Sequence, residues 1–246
     1  MSIFEMPVSF SLDKHPVVAS RFSGYNKRKI HTKNQEGAMK KDPFFHCYEE
    51  MKMCGRYYID SDMADEIQQV VREVDQRIRK AQFTGDIHPT ESAPVIEKSE
   101  NGLKLSMCKW GYPLSKRKSL VINARVESVM DKASFRNGIL YHRVLIPASG
   151  FYEWNWLKEK NTFTRPDARV LYMAGFCDWF ENERRFVILT TKANASMKKV
   201  HERMPLILEK EQIVDWFQNE KMEKLLQYTP IMLKREAEYE QQSLFL

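Results

Sequence analysis

Apolar residues recur at helical spacing after Asp60-Ser61. Met63, Ile67, Val70, Val71, Val74 and Ile78 share one face, and Asp60 or Ser61 can cap it, so the spacing predicts a helix there. The next stretch, Thr84-Gly85-Asp86-Ile87-His88-Pro89-Thr90, is rich in turn residues and ends near Pro94. Strand-like runs then dominate, at 103–112, 142–148, 151–155, 169–177 and 185–192. Two late helices are expected at about 194–201 and 210–227. Strands flanked by helices, without regular βα alternation, predict an α+β domain rather than a doubly wound sheet. The first 52 residues have little periodicity, a basic run at Lys27-Arg28-Lys29 and scattered Gly, Pro, Asn and Ser. Such a segment is not expected to join the core. The expected organisation is an extension over 1–52, one domain over 53–235 and a flexible tail over 236–246.

Composition adds less than it first suggests. The 246 residues are 43% hydrophobic, enough for one substantial core, and the net charge of +6 points to an acidic partner such as nucleic acid. Yet residues 1–53 hold nine basic and six acidic side chains, and residues 54–246 hold thirty and twenty-seven, so each part carries only +3. Particular arginines, not bulk charge, have to carry any DNA binding. Cys47, Cys54, Cys108 and Cys177 form no CxxC pair, and no His spacing around them makes a zinc site, so neither metal nor cofactor is expected. A reducing compartment is the simplest setting. No run approaches the roughly 20 apolar residues of a membrane span, and the opening MSIFEMPVSF lacks the features of a secretory signal. A soluble, cytoplasmic, monomeric protein is expected, nucleoid-associated in a bacterium.

Four places offer chemistry. In Met53-Cys54-Gly55-Arg56 a cysteine stands beside glycine and a cation that favours its thiolate. With Met53 as initiator, methionine removal would give Cys54 a free α-amino group. Amine (pKa about 7.7–8.0) and thiol (about 8.5) on adjacent carbons suit condensation with an aldehyde, first to a Schiff base and then to a thiazolidine. A small buried cysteine is the competing reading. In Asn123-Ala124-Arg125-Val126-Glu127 an amide at a strand end can orient a nucleophile, with Arg125 on the same face; a turn Asn and a surface Arg are the alternative. In Phe151-Tyr152-Glu153-Trp154 a carboxylate among aromatic rings is suited to proton transfer if desolvated, or is an exposed strand carboxylate. In His201-Glu202-Arg203-Met204-Pro205 a histidine ends a predicted helix, catalytic or structural.

Taken in order, the blocks MCGRY at 53–57, WGYP at 110–113, NARVES at 123–128, RVLIPASGFYEW at 143–154, AGFCDW at 174–179, ILTTKAN at 188–194 and HERMPLIL at 201–208 resemble the SOS response-associated peptidase (SRAP) family, also described as abasic-site processing proteins. The resemblance implies a barrel-like mixed β core flanked by helices, with a cleft for single-stranded DNA containing abasic sites. It implies that Cys54, as the first residue, forms a thiazolidine with the ring-opened sugar. It further implies that Asn123 holds the reacting N-terminus, that Glu153 acts as acid and base, and that His201 helps open the sugar ring and shuttles protons. Arg56 and Arg125 resemble the family's phosphate-contacting arginines. Trp110 and Pro113 are candidates to wedge or stack against bases, with a core tryptophan equally open. Two departures stand out: Ser149 where the family often has Asp, and Asp86-Ile87-His88-Pro89-Thr90 where members commonly read like NIAPT. No role is assigned to the second.

This chemistry needs Cys54 at an N-terminus, whereas 53 residues precede it. Self-cleavage after Met53, persistence of the extension with a blocked amine, and a translation start at Met53 compete. The last is favoured, because codons for Glu49-Glu50 can read GAGGAG, a ribosome-binding sequence two codons upstream of Met53. At the other end, Gln241-Gln242-Ser243-Leu244-Phe245 resembles the bacterial sliding-clamp-binding pentapeptide, with Gln241 making polar contacts and Leu244 and Phe245 entering an apolar pocket. Three functions therefore compete: a DNA–protein cross-linking enzyme at abasic sites, a thiol peptidase acting before Cys54 or on another protein, and a non-catalytic DNA reader.

Overall fold

The run RVLIPA forms a strand whose six residues are all buried, which marks it as central. In the computed structural model, which describes residues 55–71, 73–74, 84–114 and 120–238, this strand is β9 (Arg143–Ala148). Before it in the chain come β1 (Arg56–Ile59), α1 (Ser61–Val70), β2 (Glu73–Val74), β3 (Gly85–Ile87), β4 (Ser92–Ser99), β5 (Gly102–Trp110), β6 (Tyr112–Pro113), β7 (Leu120–Val121), β8 (Asn123–Arg125) and α2 (Ala133–Tyr141). After it come β10 (Gly150–Trp154), β11 (Lys160–Thr164), β12 (Leu171–Phe180), β13 (Glu183–Lys192), β14 (Arg203–Pro205), β15 (Ile207–Leu208), α3 (Ile213–Trp216), α4 (Asn219–Leu226) and β16 (Lys234–Ala237).

The strands β13, β12, β9, β4 and β5 pair in succession, and β5 returns to β13 through a parallel pairing of Lys109 and Trp110 with Arg185 and Phe186. That last pairing closes the ring, giving the mixed barrel core of the α+β fold and leaving these strands no free edge at the closure. A second sheet runs β16-β11-β10-β1-β3. The chain passes from ring to sheet at Ser149, whose N–H donates to Tyr58 O (2.8 Å) and whose Oγ accepts from Asp60 N–H (2.7 Å). Gly150 follows because a Cβ there would lie 2.7 Å from Tyr58 Oη and 2.8 Å from Phe163 O. Gly138, within α2, serves the same purpose against β12, where a Cβ would fall 2.5 Å from Phe176 Cδ2.

Several expected elements change. The helix predicted to reach Ile78 stops at Val70; Val71 is extended (φ −108°, ψ 147°), and Glu73–Val74 pair in parallel with Lys104 and Leu105. β-branched valines fit a strand edge better than a helix turn. The helix expected at 194–201 is a run of turns, because Asn194 Oδ1 takes Ser196 N–H and Oγ–H (3.0 and 2.5 Å). The helix expected at 210–227 breaks between α3 and α4, where Gln218 is extended. Strands β4 and β11 and helix α2 lay outside the predicted elements. Cys54, Ile78, Gln241, Leu244 and Phe245 lie outside the described residues, as does the extension over 1–52.

Candidate active site

Strand alternation decides which side chains of β10 reach the interior. Phe151 and Glu153 point inward and are buried, whereas Tyr152 and Trp154 are half-buried on the other face. Glu153 is only 4% exposed, and one of its oxygens accepts from Trp154 N–H at 3.3 Å. A buried carboxylate is costly, so it marks a candidate site. The β1–β10 register pairs Arg56 with Tyr152 and Tyr57 with Phe151. Carried one residue further, it aligns Gly55, the residue after Cys54, with Glu153.

Asn123 and His201 reach a different strand. β8 lies parallel to β13, with Asn123 opposite Ile188 and Arg125 opposite Thr190. Ala124 is buried, and Asn123 and Arg125 share the opposite face, half-buried and exposed respectively. On the other side of β13, β14 pairs Arg203 with Lys192. His201 precedes β14, and its Nδ1 accepts from Arg203 N–H at 2.9 Å. The neutral imidazole therefore carries its proton on Nε2. Burial pushes the His201 pKa below its ordinary value. The fold thus gathers Asn123, Arg125 and His201 around the C-terminal end of β13. Glu153 and Arg56 belong to the second sheet, on its opposite faces.

Two residues for which no role was expected, Arg203 and Glu127, hold this end of β13 together. Arg203 donates through both terminal nitrogens to Glu127 (2.7 and 2.8 Å) and through Nη2 to Thr190 O (2.6 Å). The Arg203 hydrogen bond holds the Glu127 carboxyl below its usual range. Glu127 and Arg203 both stand inside the NARVES and HERMPLIL blocks, which was the only signal available. Asp86 is the other omission: it accepts from Tyr152 Oη–H at 3.1 Å and lies 3.4 Å from Arg56 Nη1.

Trp110 is corrected. Its side chain is fully buried, its ring lies 5.3 Å from that of Tyr57 and 6.0 Å from that of Phe186, and its Nε1–H donates to Ile122 O at 3.0 Å. It has no face to offer a base; it is a core residue that fixes the chain just before Asn123. Pro113 is exposed. The Ser149 hydroxyl oxygen accepts from Asp60 N–H, at the corner of the sheet. Among the described residues, no group of three or more His, Cys, Asp or Glu could hold a metal ion, and no helix is long and apolar enough to cross a membrane.

The chain matches the family model described as SOS response associated peptidase (SRAP) over residues 53–242. It belongs to the SRAP family. The match begins at Met53, next to the proposed nucleophile. Among curated relatives, the abasic site processing protein YoqW of Bacillus subtilis (strain 168) is 30% identical, covering 67% of this chain and 80% of the relative. The abasic site processing protein YedK of Escherichia coli (strain K12) is 25% identical, covering 68% and 81%. Solved structures bear out the fold: a Bordetella bronchiseptica protein superposes with a TM-score of 0.63 at 23% identity, covering 75% of this chain and 99% of that one. A Bacteroides thetaiotaomicron protein does so with 0.63 at 20% identity, covering 75% and 91%.

Proposed function

We propose that this SRAP chain processes abasic sites in single-stranded DNA by capturing the ring-opened sugar covalently on Cys54. The observation that carries the reading is the buried Glu153 carboxylate, on the strand beside the one that Cys54 leads into. In the proposed reaction, His201 assists opening of the sugar to its aldehyde. The Cys54 α-amine attacks that aldehyde, and loss of water, with Glu153 supplying and removing protons, gives a Schiff base. The Cys54 thiol then adds to the C=N carbon and its proton passes to the nitrogen, closing the thiazolidine. One aldehyde and one aminothiol give one ring and one water, so no cofactor is consumed.

Asn123 orients the amine, and Arg56 and Arg125 contact phosphates through their planar, permanently charged guanidinium groups. Pro113 is the remaining candidate for contact with a base. The reading requires residues 1–53 to be absent from the working protein, through a translation start at Met53 with methionine removal. It also gives the tail a partner, the sliding clamp, through Gln241, Leu244 and Phe245. Truncating Leu244 and Phe245 should then abolish clamp pull-down.

The test of the reaction is incubation of the Met53-started chain with an oligonucleotide bearing one abasic site, followed by a denaturing gel. A stable shifted band is expected. It should vanish in Cys54→Ala, and its formation should slow by about 10²–10⁴-fold in Glu153→Gln, as loss of a general acid–base does. Cleavage before Cys54 in the full chain, without any shifted band, would instead support an autopeptidase. DNA binding that survives Cys54→Ala, with no covalent product from the unaltered chain, would support a non-catalytic reader.

A further inference from the structure

We infer that Asp86 is an electrostatic gate on Arg56: its carboxylate occupies guanidinium hydrogen-bonding capacity that a DNA phosphate would use, and so sets how tightly the chain binds DNA. This rests on the reading of Arg56 as a phosphate contact.

Arg56 lies over two aromatic rings. Its guanidinium carbon is 5.6 Å from the centroid of the Trp154 ring and 6.0 Å from that of Tyr152. One edge meets Asp86: Nη1 stands 3.4 Å from Oδ2, a long contact. Nε finds no acceptor among the described residues, so this carboxylate satisfies only part of the guanidinium. Asp86 is itself fixed from behind. It sits on β3, at the edge of the sheet, in register with Tyr58, and its other oxygen accepts from Tyr152 Oη–H at 3.1 Å. Burial, with the Asp86 carboxylate adding to it, pushes the Tyr152 pKa up to about 12, so the tyrosine stays a donor at neutral pH.

The pair is open to solvent, with side chains 34% (Arg56) and 40% (Asp86) exposed. An exposed ion pair of this kind is weak, so a phosphate can displace it. The carboxylate nevertheless opposes any anion that approaches Arg56, and the displaced charge remains beside it. Lys160, whose Nζ lies 4.2 Å from the Tyr152 ring centroid, is a second cation on this face and is not engaged by Asp86 in the bonds observed. Asp86 therefore tempers a cationic aromatic surface without abolishing it.

The experiment is fluorescence anisotropy of the full chain with an undamaged, labelled single-stranded oligonucleotide at several salt concentrations, for Asp86→Asn, Arg56→Ala and the double variant. Asparagine keeps the shape of Asp86 and the acceptor for Tyr152, and thermal melts verify that each variant is folded. Asp86→Asn should bind about 2- to 5-fold tighter, the range open to an exposed ion pair. Its dependence on salt should also be steeper, by up to about 0.7 in the log–log slope, as one more phosphate is neutralised. Arg56→Ala should bind more weakly, and in that background Asp86→Asn should change nothing. Unchanged or weaker binding by Asp86→Asn, with Arg56→Ala still impaired, overturns the gate and leaves the phosphate reading standing. Equal tightening in both backgrounds shows a general charge effect and also overturns it. Arg56→Ala binding as well as the unaltered chain refutes the phosphate reading itself, and the gate with it.

Discussion

Arg203 grips the Glu127 carboxylate with both terminal nitrogens, at 2.7 and 2.8 Å, and thereby ties the turn after Asn123–Arg125 to the strand after His201. Its backbone N–H also fixes the His201 ring. One arginine thus couples the two segments that carry Asn123 and His201. Glu127→Gln should lower the rate of covalent capture more than it lowers stability, because the Glu127 side chain is nearly half exposed and partly exposed pairs contribute little to folding. The pH dependence has a definite sign. Since Arg203 holds the Glu127 carboxyl below its ordinary 4.5, the stabilisation is present above that value and is lost as pH falls through the depressed pKa. Melting curves of Glu127→Gln and the unaltered chain should differ slightly at pH 7 and converge once the pH has fallen through the depressed Glu127 pKa; a gap that does not close would reject the pairing.

His201 should titrate below 6.5, because burial disfavours the imidazolium. The folded state then binds fewer protons than the unfolded state as pH falls past 6.5, so this group's contribution to stability declines there. Following the ring protons by NMR should give a midpoint under 6.5. The acid limb of the capture rate should follow the same midpoint and disappear in His201→Gln. A midpoint above 6.5 would mean that a carboxylate, not burial, governs the ring.

Ser149→Ala removes the acceptor of Asp60 N–H at the corner between ring and sheet. The expected cost is about 0.5–1.5 kcal/mol, as for a typical intramolecular hydrogen bond, read as a lower melting temperature. Covalent capture on Cys54 should be affected much less. A rate loss with no change in melting would place Ser149 in the chemistry instead.

Trp110 and Pro113 should separate cleanly. Trp110→Phe leaves the Ile122 carbonyl without its indole donor and opens space in the core, so a loss of about 1–3 kcal/mol is expected. Pro113→Ala should leave melting unchanged and weaken binding to single-stranded DNA. Denaturant unfolding and anisotropy measured on the same two variants check both halves.

The sequence made the barrel strands legible where apolar runs were long, as in β9, β12 and β13. It hid β4, whose Pro94, Glu97, Lys98 and Ser99 read as turn and surface although the strand closes much of the ring. It hid α2 because Gly138 weakens the helical pattern, while the structure needs that glycine for close packing on β12. The helix expected before His201 failed because Asn194 captures local donors and also reaches Pro230 O and Ile231 O (2.9 and 2.8 Å), contacts that no local pattern encodes. In the candidate site, the chemical residue types were visible as motif blocks. Trp110 was not assignable to core or surface from periodicity alone, since both faces of β5 carry apolar residues. The pairings of Asp86 with Arg56 and of Glu127 with Arg203 join positions 30 and 76 residues apart, so only the folded chain reveals them.

In the proposed reaction Cys54 acts through its own α-amine and thiol together. Intact-mass spectrometry of the chain after incubation with an abasic oligonucleotide tests it most directly. The expected product is a covalent species whose mass is that of the chain beginning at Cys54 plus the oligonucleotide bearing the opened sugar, less one water, with the linkage mapping to Cys54. A covalent species that retains residues 1–53, or the absence of any covalent species from a folded, DNA-binding chain beginning at Cys54, would contradict it.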